Sequence, residues 1–134
     1  MESSVFFQWL LKLGQAIEET DPEAFAALFS EDAVFYEAPF QPPRRGRMAI
    51  HMAIEDMAAA RDDSRFSHEI IRTEPNIGWA MWATSFTRVG TNDPVRLEGI
   101  LKASFQDDGT CFEFRQWWHR LEPGQDELMR DFDA

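Results

Sequence analysis

Cysteine is almost missing from this chain. Cys111 stands alone among 134 residues, so no intrachain disulfide can form and a disulfide-stapled secretory scaffold is not expected. A lone thiol in such an aromatic-rich chain is expected to pack as a small hydrophobe rather than to act as a nucleophile. Positive charge is scarce too: 13 Lys and Arg face 24 Asp and Glu, for a formal charge of −11. Nucleic acid and anionic membranes both demand clustered cations, and the only basic cluster, Arg44-Arg45-Gly46-Arg47, is too short to supply them. Long apolar runs are missing as well. The N-terminal stretch is broken by Gln8 and Lys12 and has no basic segment before it, so neither a signal peptide nor a membrane span is expected, and the cytoplasm is the expected compartment. His51, His68 and His119 share no short ligand spacing, which argues against a metal site. No glycine-rich phosphate loop occurs, and Ser85 and Ser104 sit outside any strand-to-helix elbow. No cofactor is therefore expected.

What is present is apolar material, 44% of the chain with 13% aromatic, enough for one packed domain. That domain is expected over residues 1–121. From Glu122 to Ala134 five acids and one Arg read as a solvated acidic tail. Phe6, Leu10, Leu13 and Ile17 recur at helical spacing after Ser3-Ser4, a pair able to cap a first helix. Asp21-Pro22 then predicts the start of a second, short helix carrying Phe25, Leu28 and Phe29 inward. Ala33 to Glu37 reads as a strand, Pro39 to Gly46 as a loop, and Met48 to Ala60 as a third helix burying Ile50, Ala53, Ile54 and Met57. The second half changes period: Phe66 to Thr73, Ile77 to Val89, Val95 to Phe105 and Cys111 to Leu121 read as four strands joined by Pro75-Asn76, Gly90 to Pro94 and Asp107-Asp108-Gly109. Three helices and an antiparallel meander predict an α+β domain with helices on one face of a curved sheet.

One residue is out of keeping. Glu37 ends the apolar run Val34-Phe35-Tyr36, where a carboxylate needs a partner or a task because burial strips its hydration.

The stretch Ala-Phe-Ala-Ala-Leu-Phe-Ser-Glu-Asp-Ala-Val-Phe-Tyr-Glu from Ala24 to Glu37, with Gln41-Pro42-Pro43 and Gly46-Arg47, resembles the nuclear transport factor 2-like superfamily, and within it the SnoaL-like branch. Leu97-Glu98-Gly99-Ile100, Phe105 to Gly109 and Glu113 to His119 agree, so the resemblance covers nearly all of Phe6 to Leu121. It implies a cone of three helices against a strongly bent, mostly antiparallel sheet, with a pocket between them. It does not imply one reaction, since that fold hosts isomerases, cyclases, dehydratases and epoxide hydrolases. Glu31 to Arg47 is also similar, without a gap, to ketosteroid isomerase, whose general-base aspartate falls on Glu37. That enzyme's tyrosine falls on Leu13 and its protonated aspartate on Leu101, so both enolate-holding groups are lost. A typical steroid isomerase is therefore not expected.

Alternation on the last strand sets Phe112, Phe114, Gln116 and Trp118 on one face and Glu113, Arg115, Trp117 and His119 on the other. Matching Trp118 to the isomerase's pocket tryptophan makes the first set the pocket face, with Leu97, Gly99, Leu101 and Ala103 beside it. The helices would add Trp9, Leu13, Ile17, Ile50 and Ile54, and the central strand Trp82. Such a cavity is apolar with two convergent polar groups, Glu37 and Gln116, which suits a small, largely apolar molecule. Desolvation there would raise the Glu37 pKa and equip it as a base for proton transfer, with Gln116 as hydrogen-bond partner. The contrasting reading pairs Glu37 with Arg44 or Arg47, which only holds the loop. An epoxide-hydrolase set of two acids around an Arg is not expected, because Arg115 points away from Glu37, as does Tyr36. Two further readings are a non-catalytic ligand carrier and an interaction subunit. Homodimerisation through the outer sheet face follows from the resemblance, and Trp117 fits such an interface.

Overall fold

The computed structural model describes residues 2–123, so the acidic tail lies outside the described residues apart from Glu122 and Pro123. Helix α1 spans Ser3–Glu18 and buries Phe6, Leu10 and Leu13 on one side. Its N-cap is Glu2, which makes no side-chain cap bond; the helix takes in both serines, and a serine inside the first turn cannot cap it. The Ser3-Ser4 cap is thereby corrected. With no acid in its first turn and no base in its last, α1 owes little to its own termini and depends on burial of its apolar side.

Helix α2, Pro22–Ala26, starts as the sequence predicts: the Asp21 side chain accepts a hydrogen bond from the Ala24 N–H at 3.0 Å, and Pro22 opens the helix. It is only one turn long. Phe29 belongs instead to strand β1, Phe29–Tyr36, which starts four residues earlier than predicted. The following loop contains a two-residue strand, β2 (Arg44–Arg45), paired antiparallel to β1. Helix α3 (Arg47–Ala59) leads into β3 (Arg61–Glu74), β4 (Ile77–Arg88), β5 (Pro94–Phe105) and β6 (Cys111–Leu121).

The six strands form one sheet in the order β2-β1-β6-β5-β4-β3. All pairs are antiparallel except β1 with β6, which is parallel, so the sheet is mixed. Register shifts within β3 and between Ser104 and Phe105 bend it. The second shift leaves Phe112 opposite no single partner, and it is exposed. This corrects its placement beside Phe114 on the pocket face.

Helices and sheet close on an aromatic core. Trp9 is wedged edge-on against Phe29 and Phe105, with ring centroids 5.8 and 5.1 Å away, and its Nε1–H donates to the Leu28 carbonyl at 3.2 Å. Cys111 is fully buried among these residues, and burial pushes its thiol far up, as fits a packing role. At the middle of the sheet Gly99 faces Trp118. A Cβ at Gly99 would lie 2.0 Å from the Trp117 carbonyl oxygen, so β5 and β6 meet there only because the side chain is missing.

Candidate functional site

Alternation along β1 turns Ala33 and Phe35 into the core and carries the same direction on to Glu37, which lies one residue beyond the strand's end. Glu37 thus reaches a cavity of about 70 Å³ between the helices and the concave side of the sheet. Leu13 and Ile17 of α1, Phe25 of α2 and Ile54 and Met57 of α3 form its helical wall. Phe66, Trp82, Thr84, Leu97, Leu101, Phe114, Gln116 and Trp118 form the sheet wall, and Arg61 stands with Glu37 among the lining groups.

The polar groups have definite partners. The Glu37 carboxylate meets Arg44 at 3.3 Å, with side chains 37% and 47% exposed respectively. Arg47 instead forks onto the Phe29 carbonyl through Nε and Nη2 at 3.0 and 2.7 Å, so of the two predicted partners it is Arg44 that pairs. More than a third of Glu37 faces solvent, so the burial invoked for a tuned base is only partial. Gln116 Nε2 and Trp118 Nε1 both donate to one acceptor, the Glu37 main-chain carbonyl, each at 2.8 Å. Thr84 Oγ1 donates to the Arg65 carbonyl at 2.6 Å. Two buried atoms find no partner among the described residues: Trp82 Nε1 and, on the neighbouring strand, His68 Nε2. Burial also lowers the His68 pKa from its ordinary 6.5.

Sequence reasoning missed Phe66, Thr84 and, the one charged group among them, Arg61. Its guanidinium lies over the Phe86 ring at 4.1 Å, and burial, with the repulsion of Arg120, pushes its pKa down to about 10 while Glu37 pulls it up. It stays cationic at neutral pH. A signal for it existed: a β4 running to Val89 needs an antiparallel partner of similar length, which carries β3 back from Phe66 to Arg61.

The sequence from residue 11 to 121 matches the model of the SnoaL-like domain family. The chain belongs to the SnoaL-like domain family. No curated protein shows a significant match to it. Solved structures similar to this SnoaL-like domain include a provisional isomerase from Bacillus subtilis, with TM-score 0.77 and 22% identity over 87% of each chain. Another is SalBIII, an epoxide hydrolase/cyclase-like enzyme with a role in pyran ring formation in polyether salinomycin (TM-score 0.78, 14% identity, 88% of this chain and 93% of that one). A third is a computationally designed 17-OHP binder, with TM-score 0.75 and 15% identity over 89% of this chain and 97% of that one. At these identities the likenesses establish the fold.

Within the SnoaL-like domain, Gly99 and Ala103 of the expected pocket face do not line the cavity, whereas Leu13, Ile17, Ile54, Trp82, Leu97, Leu101, Phe114, Gln116 and Trp118 line it with Glu37. Trp9 does not; the core takes it, behind Phe29 and Phe114. Ile50 is likewise buried in the core and outside the lining. Tyr36 faces the other side of the sheet, where the Arg115 guanidinium covers its ring at 3.8 Å. The three histidines lie on different elements, and among the described residues no three His, Cys, Asp or Glu gather as metal ligands. No described helix is long and apolar enough to cross a membrane.

Proposed function

We propose that this SnoaL-like domain binds a small, largely apolar molecule in the cavity, with Glu37 organising its mouth. The observation that carries this reading is the double donation of Gln116 and Trp118 to the Glu37 carbonyl at 2.8 Å. A proton-transfer site needs donors aimed at the oxygen where charge develops. Here the two best-placed donors of the cavity are consumed by the main chain, and the carboxylate is taken by Arg44. Apart from Arg61 and Thr84 the walls left to a ligand are apolar, and the buried Trp82 Nε1–H has no partner among the described residues. The volume sets a limit on size: about 70 Å³ is well below the roughly 300–1,000 Å³ of drug-sized sites. A polycyclic ligand would have to displace side chains, and the pliable thioether of Met57 is the readiest to move. The likeness to a designed 17-OHP binder supports the fold's capacity to bind.

Leu101→Trp fills the cavity from its floor and tests the reading. Small molecules retained by the purified wild-type protein, released by denaturation and identified by mass spectrometry, are expected to be lost from the variant. Equal retention by both would contradict it.

Glu37 as a general base remains a second reading, favoured by its place in the cavity wall. An ion pair this exposed is worth only about 0–1 kcal/mol, so a ligand can detach Arg44 at little cost. For any substrate found, Glu37→Gln separates the readings: turnover lost with binding kept supports the base, and turnover kept removes it.

A homodimer is part of the proposal. Met81, Ile100 and Trp117 are direct cross-strand neighbours on the outer face, and all three are exposed, forming an apolar stripe across β4, β5 and β6.

A further inference from the structure

Most arginines among the described residues pair with an acid. With 24 Asp and Glu for 13 Lys and Arg, partners are plentiful, and Arg44, Arg65, Arg72, Arg88, Arg96 and Arg115 all pair with a carboxylate. Arg45, exposed on β2, has no carboxylate partner among the described residues, and Arg47 is taken by the Phe29 carbonyl; Arg61 and Arg120, the two others without an acid, sit by the cavity. Among the described residues neither guanidinium makes an ion pair or a hydrogen bond; each lies instead on an aromatic ring, Arg61 on Phe86 at 4.1 Å and Arg120 on Trp118 at 5.5 Å. Arg61 and Trp118 both line the cavity and Arg120 lies on the Trp118 ring, so two cations that form no ion pair among the described residues stand at its mouth, with Glu37 acting on Arg61 only at longer range. Glu37, the carboxylate beside them, is already engaged by Arg44.

We infer that the ligand carries a carboxylate, which seats between Arg61 and Arg120 while a short apolar part enters the cavity; this rests on the binding reading proposed above. A planar guanidinium presents paired N–H groups that match a carboxylate in two parallel bonds, and stacking on a ring holds that fork in orientation without using its donors. Two cations close enough to repel, one of them largely desolvated, both gain from an anion placed between them. The excess of positive charge is local, in a chain whose total is −11, and it selects the charged end of a ligand rather than drawing anions to the whole surface. The cavity beneath limits the remainder to a compact apolar group. A small aliphatic or aromatic acid is the class that satisfies both ends.

The test titrates the full chain with butyrate, hexanoate and octanoate, and with the matching primary amides, following the indole N–H resonances of Trp82 and Trp118. The best carboxylate is expected to bind about tenfold or more tightly than its amide, the strength of an ordinary charge-assisted hydrogen bond. Arg61→Gln should weaken the acid by clearly more than the amide and so narrow the gap between them, with Arg61→Lys between. Arg120→Gln, at an exposed position, should weaken the acid selectively as well. Equal affinity of acid and amide, or a preference for the acid that survives both glutamine variants, overturns the carboxylate assignment and leaves the binding cavity standing. If neither acids nor amides move the two indoles, the cavity reading falls with it.

Discussion

Gln116 holds Glu37 by its main chain: Gln116 Nε2 lies 2.8 Å from the Glu37 carbonyl oxygen, while the Glu37 carboxylate turns to Arg44. A residue pair chosen by sequence as base and hydrogen-bond partner is thus joined through the backbone. The bond ties the end of β1 to β6, the one parallel pair of the sheet, just where β1 stops. It therefore lends rigidity to the mouth of the cavity, and its loss should register as stability before it registers as chemistry.

Because Trp118 Nε1 donates to the same oxygen, each donor can cover for the other. Gln116→Leu and Trp118→Phe should each cost about 1 kcal/mol, the net worth of one hydrogen bond. The double variant should cost more than the sum, since only then is the carbonyl left without a donor. Urea unfolding of the four proteins measures the coupling. Strict additivity would mean that the two bonds do not share a role.

Gly99 marks a close approach of β5 and β6. Gly99→Ala puts a methyl group 2.0 Å from a main-chain oxygen that cannot rotate away, so β5 and β6 must separate. A loss of roughly 1–3 kcal/mol is expected from overpacking of this kind, read as a lowered midpoint of thermal or urea unfolding. An unchanged midpoint would show that the strands have slack there.

His68 sits between the rings of Phe7 and Phe66, with centroids 5.4 and 6.1 Å away, and its buried Nε2 has no partner among the described residues. Burial holds its folded pKa below 6.5, so between that lowered value and 6.5 the unfolded chain binds more protons than the folded one. Stability from this residue is complete above pH 6.5, falls as the pH drops towards the folded pKa and levels off below it. His68→Gln should remove that part of the slope. The difference between wild-type and variant stabilities across pH 5 to 7 isolates the effect from carboxylates titrating lower.

The outer stripe predicts assembly. Ile100 lies between Met81 and Trp117, so Ile100→Lys places a charge at its centre. Sedimentation should give a dimer for the wild type and a monomer for the variant, with the fold retained by circular dichroism. A wild-type monomer at high concentration would end the proposal.

The predictable parts of this protein were those governed by local rules. Asp21-Pro22 announces a helix because capping needs only neighbours in sequence, and alternation groups Phe114, Gln116 and Trp118 on one face, which the resemblance at Trp118 then turns to the pocket. Trp9 shows the limit of periodicity, which tells buried from exposed but not cavity wall from core; its place was settled by Phe29 and Phe105, far away in the chain. Phe112 failed for a related reason, since a bulge resets alternation and leaves no mark in composition. Arg61 falls in the gap between the helix expected to end at Ala60 and the strand expected to begin at Phe66. Pairing with β4 makes it strand and brings its charge to the cavity. The acceptor of Gln116 was not legible at all, because alternation orients a side chain without saying whether a ligand or a main-chain oxygen awaits it.

The most direct test of the binding cavity is a titration with small apolar probes, neutral and acidic, followed by two-dimensional NMR of all five tryptophan indoles. The account predicts saturable shifts at Trp82 and Trp118, which line the cavity, with Trp117 on the outer face unmoved. Shifts confined to Trp117, or none at saturating probe, would contradict it.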